Sequence, residues 1–295
     1  MNVGVVGMGA VGMFVAYQLS YYGHNVTCYV RRDQQLDQLK QFGITVDNCS
    51  SVRPNVRHFN DLVAHEVLIV CTKQTQLDFV LSKLGESEQI HKSLLFLQNG
   101  MGHIQKLNEL QHNQVFVGVC EHGVKKVSDQ EIQLNGLGQI KVTSLKECEQ
   151  VEHLKDLSHD QFPVHIDKDL FTVLNEKLVV NSVINPLTAL FEVENGAILQ
   201  YNHLANLAYS LTVEASQALQ LDEVKMWELV KRVCAKTQHN TSSMLSDFQS
   251  KRPTEIQYMN GYLIEQSHLP LPNHHVIYEL IKAKEEVSEV RKWTF

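Results

Sequence analysis

The sequence predicts an α/β chain in two parts: an N-terminal domain built on a parallel sheet, followed by an all-helical C-terminal domain. Three observations predict it. The first half alternates short apolar runs with helix-period segments, the pattern of a parallel sheet covered on both faces. The second half reads as helices almost to its end, with few strand signals. A glycine-punctuated turn, Gly7, Gly9 and Gly12, joins the first apolar run to the first helical segment.

Each element follows from its local pattern. Residues 3–6 read as a strand, and residues 11–22 as an amphipathic helix stopped by Gly23, a glycine in the C-terminal cap role. Residues 26–30 form the second strand, and residues 34–42 a helix closed by Gly43. Residues 67–71 are almost wholly apolar, as a strand buried on both faces should be. A helix at 77–84, a strand at 94–97, a helix at 104–110 and a strand at 115–119 continue the alternation. Between 123 and 143 the pattern changes to short alternating segments, separated by Ser128-Asp129 and by the hairpin-like pair Asn135-Gly136. This reads as an antiparallel extension of the sheet. A helix at 147–157 and a short strand at 163–166 complete the first part. The boundary falls near Asp167, giving domains of 1–167 and 168–295.

Composition narrows the function classes. The chain has 295 residues, 43% hydrophobic and 20% charged, which suits a globular protein of two domains. A net charge of −7 argues against a general nucleic-acid or acidic-membrane binder. No run of about eighteen apolar residues exists to span a bilayer. A secretory signal is not expected, because the N-terminal apolar run lacks a basic flank and is explained as strand and turn. The cysteines Cys28, Cys49, Cys71, Cys120, Cys148 and Cys234 are scattered without a Cys-x-x-Cys. They read as reduced thiols of a cytoplasmic protein. No metal site is expected, since no His/Cys/Asp cluster has ligand spacing.

The glycine turn, NVGVVGMGAVG from Asn2 to Gly12, carries the first chemistry. Gly7 permits the tight turn, Gly9 lets the backbone approach a pyrophosphate, and Gly12 lets the helix pack close to the strand. With Met8, Ala10 and Val11 they present free N–H groups and a positive dipole end to phosphates. The second strand ends Tyr29-Val30-Arg31-Arg32-Asp33. A basic residue there accommodates the 2′-phosphate of NADP, whereas an acidic one selects NAD. The arginines favour NADP, and Asp33 keeps NAD open. Lys73 and Asn99 each lie just past an apolar strand, where ligands of open α/β sheets bind. Taken alone, each also reads as a surface-loop residue.

In the second half, Lys177, Asn181 and Asn185 recur at four-residue spacing among residues that need burial, so they share one helix face. Exposed stripes are normally rich in Glu, Lys and Arg, so one lysine with two asparagines fits a hydrogen-bonding site better. Pro186 is expected to kink or break that helix, and Asn195-Gly196 follows in a turn. A second polar group surrounds Ser243, and Thr254-Glu255 is expected to open the next helix beyond Pro253. Reduction of a ketone leaves negative charge on oxygen, which a cation or acid beside it stabilises and protonates. Lys177 is the candidate acid, with Glu255 as its partner. Asn181 and Asn185 suit substrate hydroxyls or carbonyl, and Ser243 a carboxylate. His103 and His122 near loop ends are alternative acids, while His274-His275 reads as surface.

Taken together, VGMGAVG, Lys73 with Gln76, QNGMG at 98–102, KLVVNSVINPLTAL from Lys177, ENGAI from Glu194, SSML with Glu255 twelve residues after Ser243, and TEIQYMNGYLI resemble the ketopantoate reductase family from end to end. The resemblance implies a Rossmann-like dinucleotide-binding domain joined to a helical domain, with the site in the cleft between them. It implies NADPH-dependent reduction of 2-dehydropantoate to (R)-pantoate, toward pantothenate and coenzyme A. By position, Lys177 matches the catalytic lysine and Glu255 its partner. Asn99, Asn181, Asn185, Asn195 and Ser243 match substrate-side residues. Gly7 to Gly12, Arg31 and Lys73 match cofactor-side residues, with Asn99 on both sides. The expected partner is a small 2-keto acid, and a homodimer is allowed. Two stretches depart from the family pattern: Cys120-Glu121-His122 and Lys73-Gln74-Thr75. A reductase of another branched 2-keto acid, perhaps using NAD, and a non-enzymatic dinucleotide sensor stay as alternatives. The sensor predicts loss of Lys177 and Glu255, and both are present.

Overall fold

The computed structural model describes residues 1–47, 50–86, 91–112, 114–146 and 149–290. These form two compact units, Met1–Asn99 with His103–Leu170, and Gly100–Gly102 with Phe171–Phe295. Cys49, Cys148 and the start of the expected helix at 147 lie outside the described residues.

The first unit contains β1 (Asn2–Val6), α1 (Ala10–Tyr21), β2 (Asn25–Val30), α2 (Asp33–Phe42), β3 (Ile44–Val46), β4 (Ser50–Val52), β5 (Asn55–His58), β6 (Val67–Val70), α3 (Leu77–Glu86), β7 (Ser93–Phe96), α4 (Ile104–Asn108), β8 (Val115–Cys120), β9 (Gly123–Lys126), β10 (Glu131–Gly136), β11 (Ile140–Ser144) and β12 (Val164–Ile166). The expected helix near 150 is a run of 3₁₀ turns, Glu149–Leu157. The main sheet has the order β12-β11-β8-β7-β6-β1-β2-β5. From β8 to β5 every pairing is parallel. β11 then runs antiparallel to β8. Strands β6, β7 and β8 are buried throughout, which is why their sequences are nearly continuous apolar runs. The chain builds outward from β1 through β2 to β5, then crosses to β6 on the other side. The order therefore reverses between β1 and β6, and such a reversal opens a ligand crevice at the carboxyl ends of the strands.

The segment after Gly123 corrects the sequence reading. Between 123 and 144 it is β11 alone that joins the main sheet, with β12 added beyond it later in the chain. β9 and β10 form a hairpin that joins a second sheet, β4-β3-β10-β9, with its turn at 127–130. Asn135-Gly136 is not that turn. It closes β10, beside a shift in register. The short strands β3, β4 and β5 were not anticipated. The second sheet also changes α1, which is buried continuously from Gly12 to Leu19 rather than along one face. It packs against β1 and β2 of the main sheet and against β3, β4, β9 and β10, and a helix covered on both sides is apolar all round.

The second unit holds α5 (Leu170–Phe191), α6 (Ala197–Gln200), α7 (Asn202–Ala218), α8 (Glu223–Lys236), α9 (Ser243–Gln249), α10 (Asn260–Gln266) and α11 (Pro272–Val290). α5 does not break at Pro186 but continues through it. Proline has no N–H, so the carbonyl of Ser182 loses its helical partner. The side-chain amide of Asn260 supplies the missing donor, with Nδ2 3.0 Å from Ser182 O. The same amide donates to Nδ1 of His274 at 2.9 Å, and His274 Nε2 donates to Leu211 O at 3.0 Å. Asn260 and His274 are both 0% exposed. His274 is therefore not a surface residue: α11 turns it inward with Ile277 and Ile281, below the buried Leu271 that precedes the helix, while His275 is exposed. Burial lowers the pKa of His274, which preserves the neutral ring that this relay requires.

Candidate active site

In the first unit, the glycine turn occupies the β1 side of the reversal. Gly7 has φ +93°, a left-handed value that glycine alone adopts without strain. A Cβ on Gly7 would lie 2.8 Å from Thr72 N, so the turn after β1 presses on the segment after β6. A Cβ on Gly12 would stand 2.0 Å from Gly7 O, which explains the need for glycine where α1 leaves the turn. Gly9 differs: nothing lies within 4 Å of the place its Cβ would take. Open space at the N-terminus of a buried helix is where a pyrophosphate can meet free backbone N–H groups.

Past the ends of β6, β7 and β8 the buried atoms Thr72 Oγ1, Gln98 Oε1 and His122 Nε2 have no hydrogen-bond partner among the described residues. Buried polar atoms are normally satisfied. Three orphans at the carboxyl edge of a parallel sheet fit a polar ligand seated there. The residues present thus fit a dinucleotide. Lys73 is half-buried and engaged in a polar or electrostatic interaction. Asn99 accepts a hydrogen bond from Gln74 through its backbone oxygen. Arg31 is exposed, and its carbonyl takes a hydrogen bond from His58 Nε2 at 2.9 Å.

The alternative acids His103 and His122 are both buried. Burial pushes each down to about 4, so neither is protonated near neutrality. His122 lies 4.7 Å from the Phe14 ring and 5.8 Å from the Phe162 ring. Its Nδ1 accepts from the Gly138 N–H at 3.1 Å. Burial likewise raises the Cys71 thiol, which leaves it unreactive.

In the second unit, α5 carries Lys177, Asn181 and Asn185 on one face. Lys177 and Asn181 are half-buried, and Asn185 is buried. Asn185 Nδ2 donates to Ser243 Oγ at 3.4 Å and lies 3.7 Å from Met259 Sδ. The structure thus brings Asn185 and Ser243 together across 58 residues. Ser243 stays exposed at the start of α9. Its neighbour Ser242 is buried, accepts from Leu245 N at 3.2 Å and from Thr188 Oγ1 at 2.7 Å, and so pins α9 to α5. Lys177 and Glu255 each have a polar or electrostatic partner. Glu255 is buried but does not open a helix: it precedes a 3₁₀ turn, Ile256–Tyr258, and α10 begins only at Asn260. Asn195 is engaged elsewhere. Its Nδ2 donates to Thr237 Oγ1 at 2.9 Å and its N–H to Asn240 O at 3.1 Å, fastening the approach to α6 onto the end of α8.

The sequence reading missed Gln35, Lys126 and Asp129, which the fold gathers at the glycine turn, and Asn260 with His274. Residues 271, 274, 277 and 281 do recur at helical spacing, so the inward side of α11 was legible. The long-range convergence on Met8 had no local signal.

Among the described residues, no group of three His, Cys, Asp or Glu side chains is placed to hold a metal ion. No described helix is long and apolar enough to cross a membrane. Among the described residues, Cys28, Cys71 and Cys234 are free thiols.

Comparison with known proteins meets this geometry. Residues 3–147 match the family described as "Ketopantoate reductase PanE/ApbA", and residues 169–285 match its C-terminal counterpart. The chain is similar to the 2-dehydropantoate 2-reductase of Bacillus subtilis, 38% identical over 91% of each chain. It is similar also to that of Listeria monocytogenes, 30% identical over 98% of this chain and 99% of the relative. The crystal structure of probable 2-dehydropantoate 2-reductase panE from Bacillus subtilis superposes with a TM-score of 0.83 at 34% identity, covering 96% of this chain and 99% of that one. D-mandelate dehydrogenase with NADH and anilino(oxo)acetate shares the fold at a TM-score of 0.92 and 19% identity, over 98% of this chain and 99% of that one. An N-terminal parallel-sheet domain, a helical C-terminal domain and these matches over nearly the whole length lead to one conclusion: the chain is an oxidoreductase of the ketopantoate reductase family.

Proposed function

We propose that this protein catalyses NADPH-dependent reduction of 2-dehydropantoate to (R)-pantoate, a step toward pantothenate and coenzyme A in the cytoplasm. Residues 1–167 hold the cofactor and residues 168–295 hold and protonate the substrate. The observation that carries this reading is the α5 face: one lysine, two asparagines and, at Asn185, the Ser243 hydroxyl.

When bound, the reduced nicotinamide supplies a hydride to the keto carbon. The chain's own residues do the rest. Met8, Gly9, Ala10, Val11 and Gly12 offer backbone N–H groups to the pyrophosphate, while Gly7, whose N–H donates to Tyr29 O at 3.2 Å, sets the turn that aims them. Arg31, Lys73 and Asn99 line the cofactor side. The Lys177 ammonium stabilises the charge that develops on the ketone oxygen and delivers its proton. Glu255 orients Lys177. Asn181 and Asn185 bind hydroxyl or carbonyl groups, Ser243 binds the carboxylate, and Asn195 supports the substrate side through its bond to Thr237.

A second reading keeps the chemistry and changes the ligands: another branched 2-keto acid with NADH, favoured by Asp33 beside the two arginines. Purified protein with NADPH or NADH and a panel of branched 2-keto acids separates them. The first reading expects 2-dehydropantoate with NADPH to give the highest kcat/KM. Turnover of a different acid, or a preference for NADH, establishes the second. No turnover with any keto acid overturns both.

A further inference from the structure

The turn of the β9–β10 hairpin carries a charge cluster at the cofactor side of the first unit. Asp129 accepts a hydrogen bond from Arg32 and lies 2.8 Å from Lys126 Nζ. Lys126 Nζ also reaches the carbonyl of Met8, inside the glycine turn, at 3.3 Å. Gln35, in the first turn of α2, donates to the same Met8 oxygen at 2.8 Å and to Asp129 O at 3.1 Å. Three elements from distant parts of the sequence therefore meet at one point: the turn after β1, the junction of β2 with α2, and the hairpin turn. In this fold the first meets the pyrophosphate and the second meets the adenosine ribose. The pair Arg32 and Lys126 is thus a cation site at the position of the ribose, and its anion comes from the chain itself.

We propose that Arg32 and Lys126 form the specificity site for the 2′-phosphate of the dinucleotide, and that Asp129 is its built-in competitor, exchanged for the phosphate when the cofactor binds. This rests on the NADP reading above. Three physical points support it. A phosphate monoester carries about −1.5 to −2 charge at pH 7 with three acceptor oxygens, so it outcompetes a single carboxylate for a guanidinium and an ammonium together. The Arg32 side chain is 53% exposed, free to turn from one anion to the other. Lys126 and Gln35 fix the cluster to the glycine turn, so the exchange leaves its distance from the pyrophosphate site unchanged. Burial works against ionisation of Asp129, but the hydrogen bonds from Arg32 and Lys126 outweigh it and hold the carboxyl below its usual range. The competitor is therefore ionised at neutral pH and acts as a constant tax on anion binding. An enzyme so arranged binds NADH without disturbing the cluster and binds NADPH by opening it.

The test is equilibrium titration of the whole protein with 2′,5′-ADP and with 5′-AMP, which differ by the 2′-phosphate alone. Lys126→Gln is expected to weaken 2′,5′-ADP roughly tenfold, the value of one charge-assisted hydrogen bond, and to leave 5′-AMP within about twofold. Lys126→Arg restores the discrimination. Asp129→Asn is expected to tighten 2′,5′-ADP several-fold with 5′-AMP unchanged. Thermal melts show whether each variant is folded. Equal effects on both ligands, no effect from Lys126→Gln in a folded protein, or weaker 2′,5′-ADP binding in Asp129→Asn overturns the proposal. If the unaltered protein binds the two ligands equally, the NADP reading itself fails, and that result is distinct from the other three.

Discussion

Replacing Asn260 by alanine tests how α5 survives its internal proline. Asn260 donates to Ser182 O and to His274 Nδ1, and it is 0% exposed. Alanine leaves both acceptors buried without a donor, at about 1–3 kcal/mol each. Part is recovered, because the Asn260 Oδ1 atom is itself unpartnered among the described residues. A net loss of about 2–4 kcal/mol follows. The decisive comparison uses Pro186→Ala, which returns an N–H four residues after Ser182. In that background Ser182 O has a helical donor again, and the cost of Asn260→Ala should fall by about 1–2 kcal/mol. Urea unfolding followed by tryptophan fluorescence reads this directly, since the two tryptophans, Trp227 and Trp293, lie in the second half of the chain. If the two substitutions add to within about 0.5 kcal/mol, Asn260 does not replace the proline's missing hydrogen bond and the reasoning is refuted.

Three further outcomes are expected. His65, His91, His103 and His122 are each held by burial at about 4, so each is neutral in the fold and titrates near 6.5 when unfolded. Their stability contribution is complete above pH 6.5 and is lost as pH falls toward 4; at pH 5.5 each costs about 1.4 kcal/mol. Unfolding free energy should drop steeply between pH 6.5 and 4.5, and a flat profile there counts against the buried neutral rings. Gly9→Ala meets open space and should leave the melting temperature nearly unchanged while weakening NADPH binding at least tenfold, because its methyl enters the phosphate space. Gly12→Ala collides with Gly7 O and should lower the melting temperature by several degrees; equal melting of the two variants contradicts the division of roles.

The parts of the fold that were legible are those where one force dominates. β6, β7 and β8 are buried on both faces, so solvent exclusion alone writes their sequences. Gly23 and Gly43 end helices because both sit at positive φ. The second sheet was not legible, since β3 and β4 are three residues long and β3 pairs with β10 some eighty-six residues away. Strands that short carry no usable period. For the same reason α1 read as amphipathic: the element covering its other side was missing from the argument. On the site, the spacing of Lys177, Asn181 and Asn185 was a local property of a helix and could be read directly. The meeting of Arg32 with Asp129 across ninety-seven residues belongs to tertiary structure, and no local pattern encodes it. His274 was misplaced because a His-His pair was read by composition rather than by the period of α11.

The proposed role of Lys177 as proton donor is tested most directly by one comparison: kcat for 2-dehydropantoate reduction beside the dissociation constant for NADPH, in the unaltered protein and in Lys177→Ala. Removing a proton donor that acts only as charge develops on the ketone oxygen should lower kcat by roughly 10²–10⁴-fold with NADPH binding within about twofold. A variant that keeps its kcat, or that loses cofactor binding in the same proportion, contradicts the role of Lys177 at the ketone oxygen.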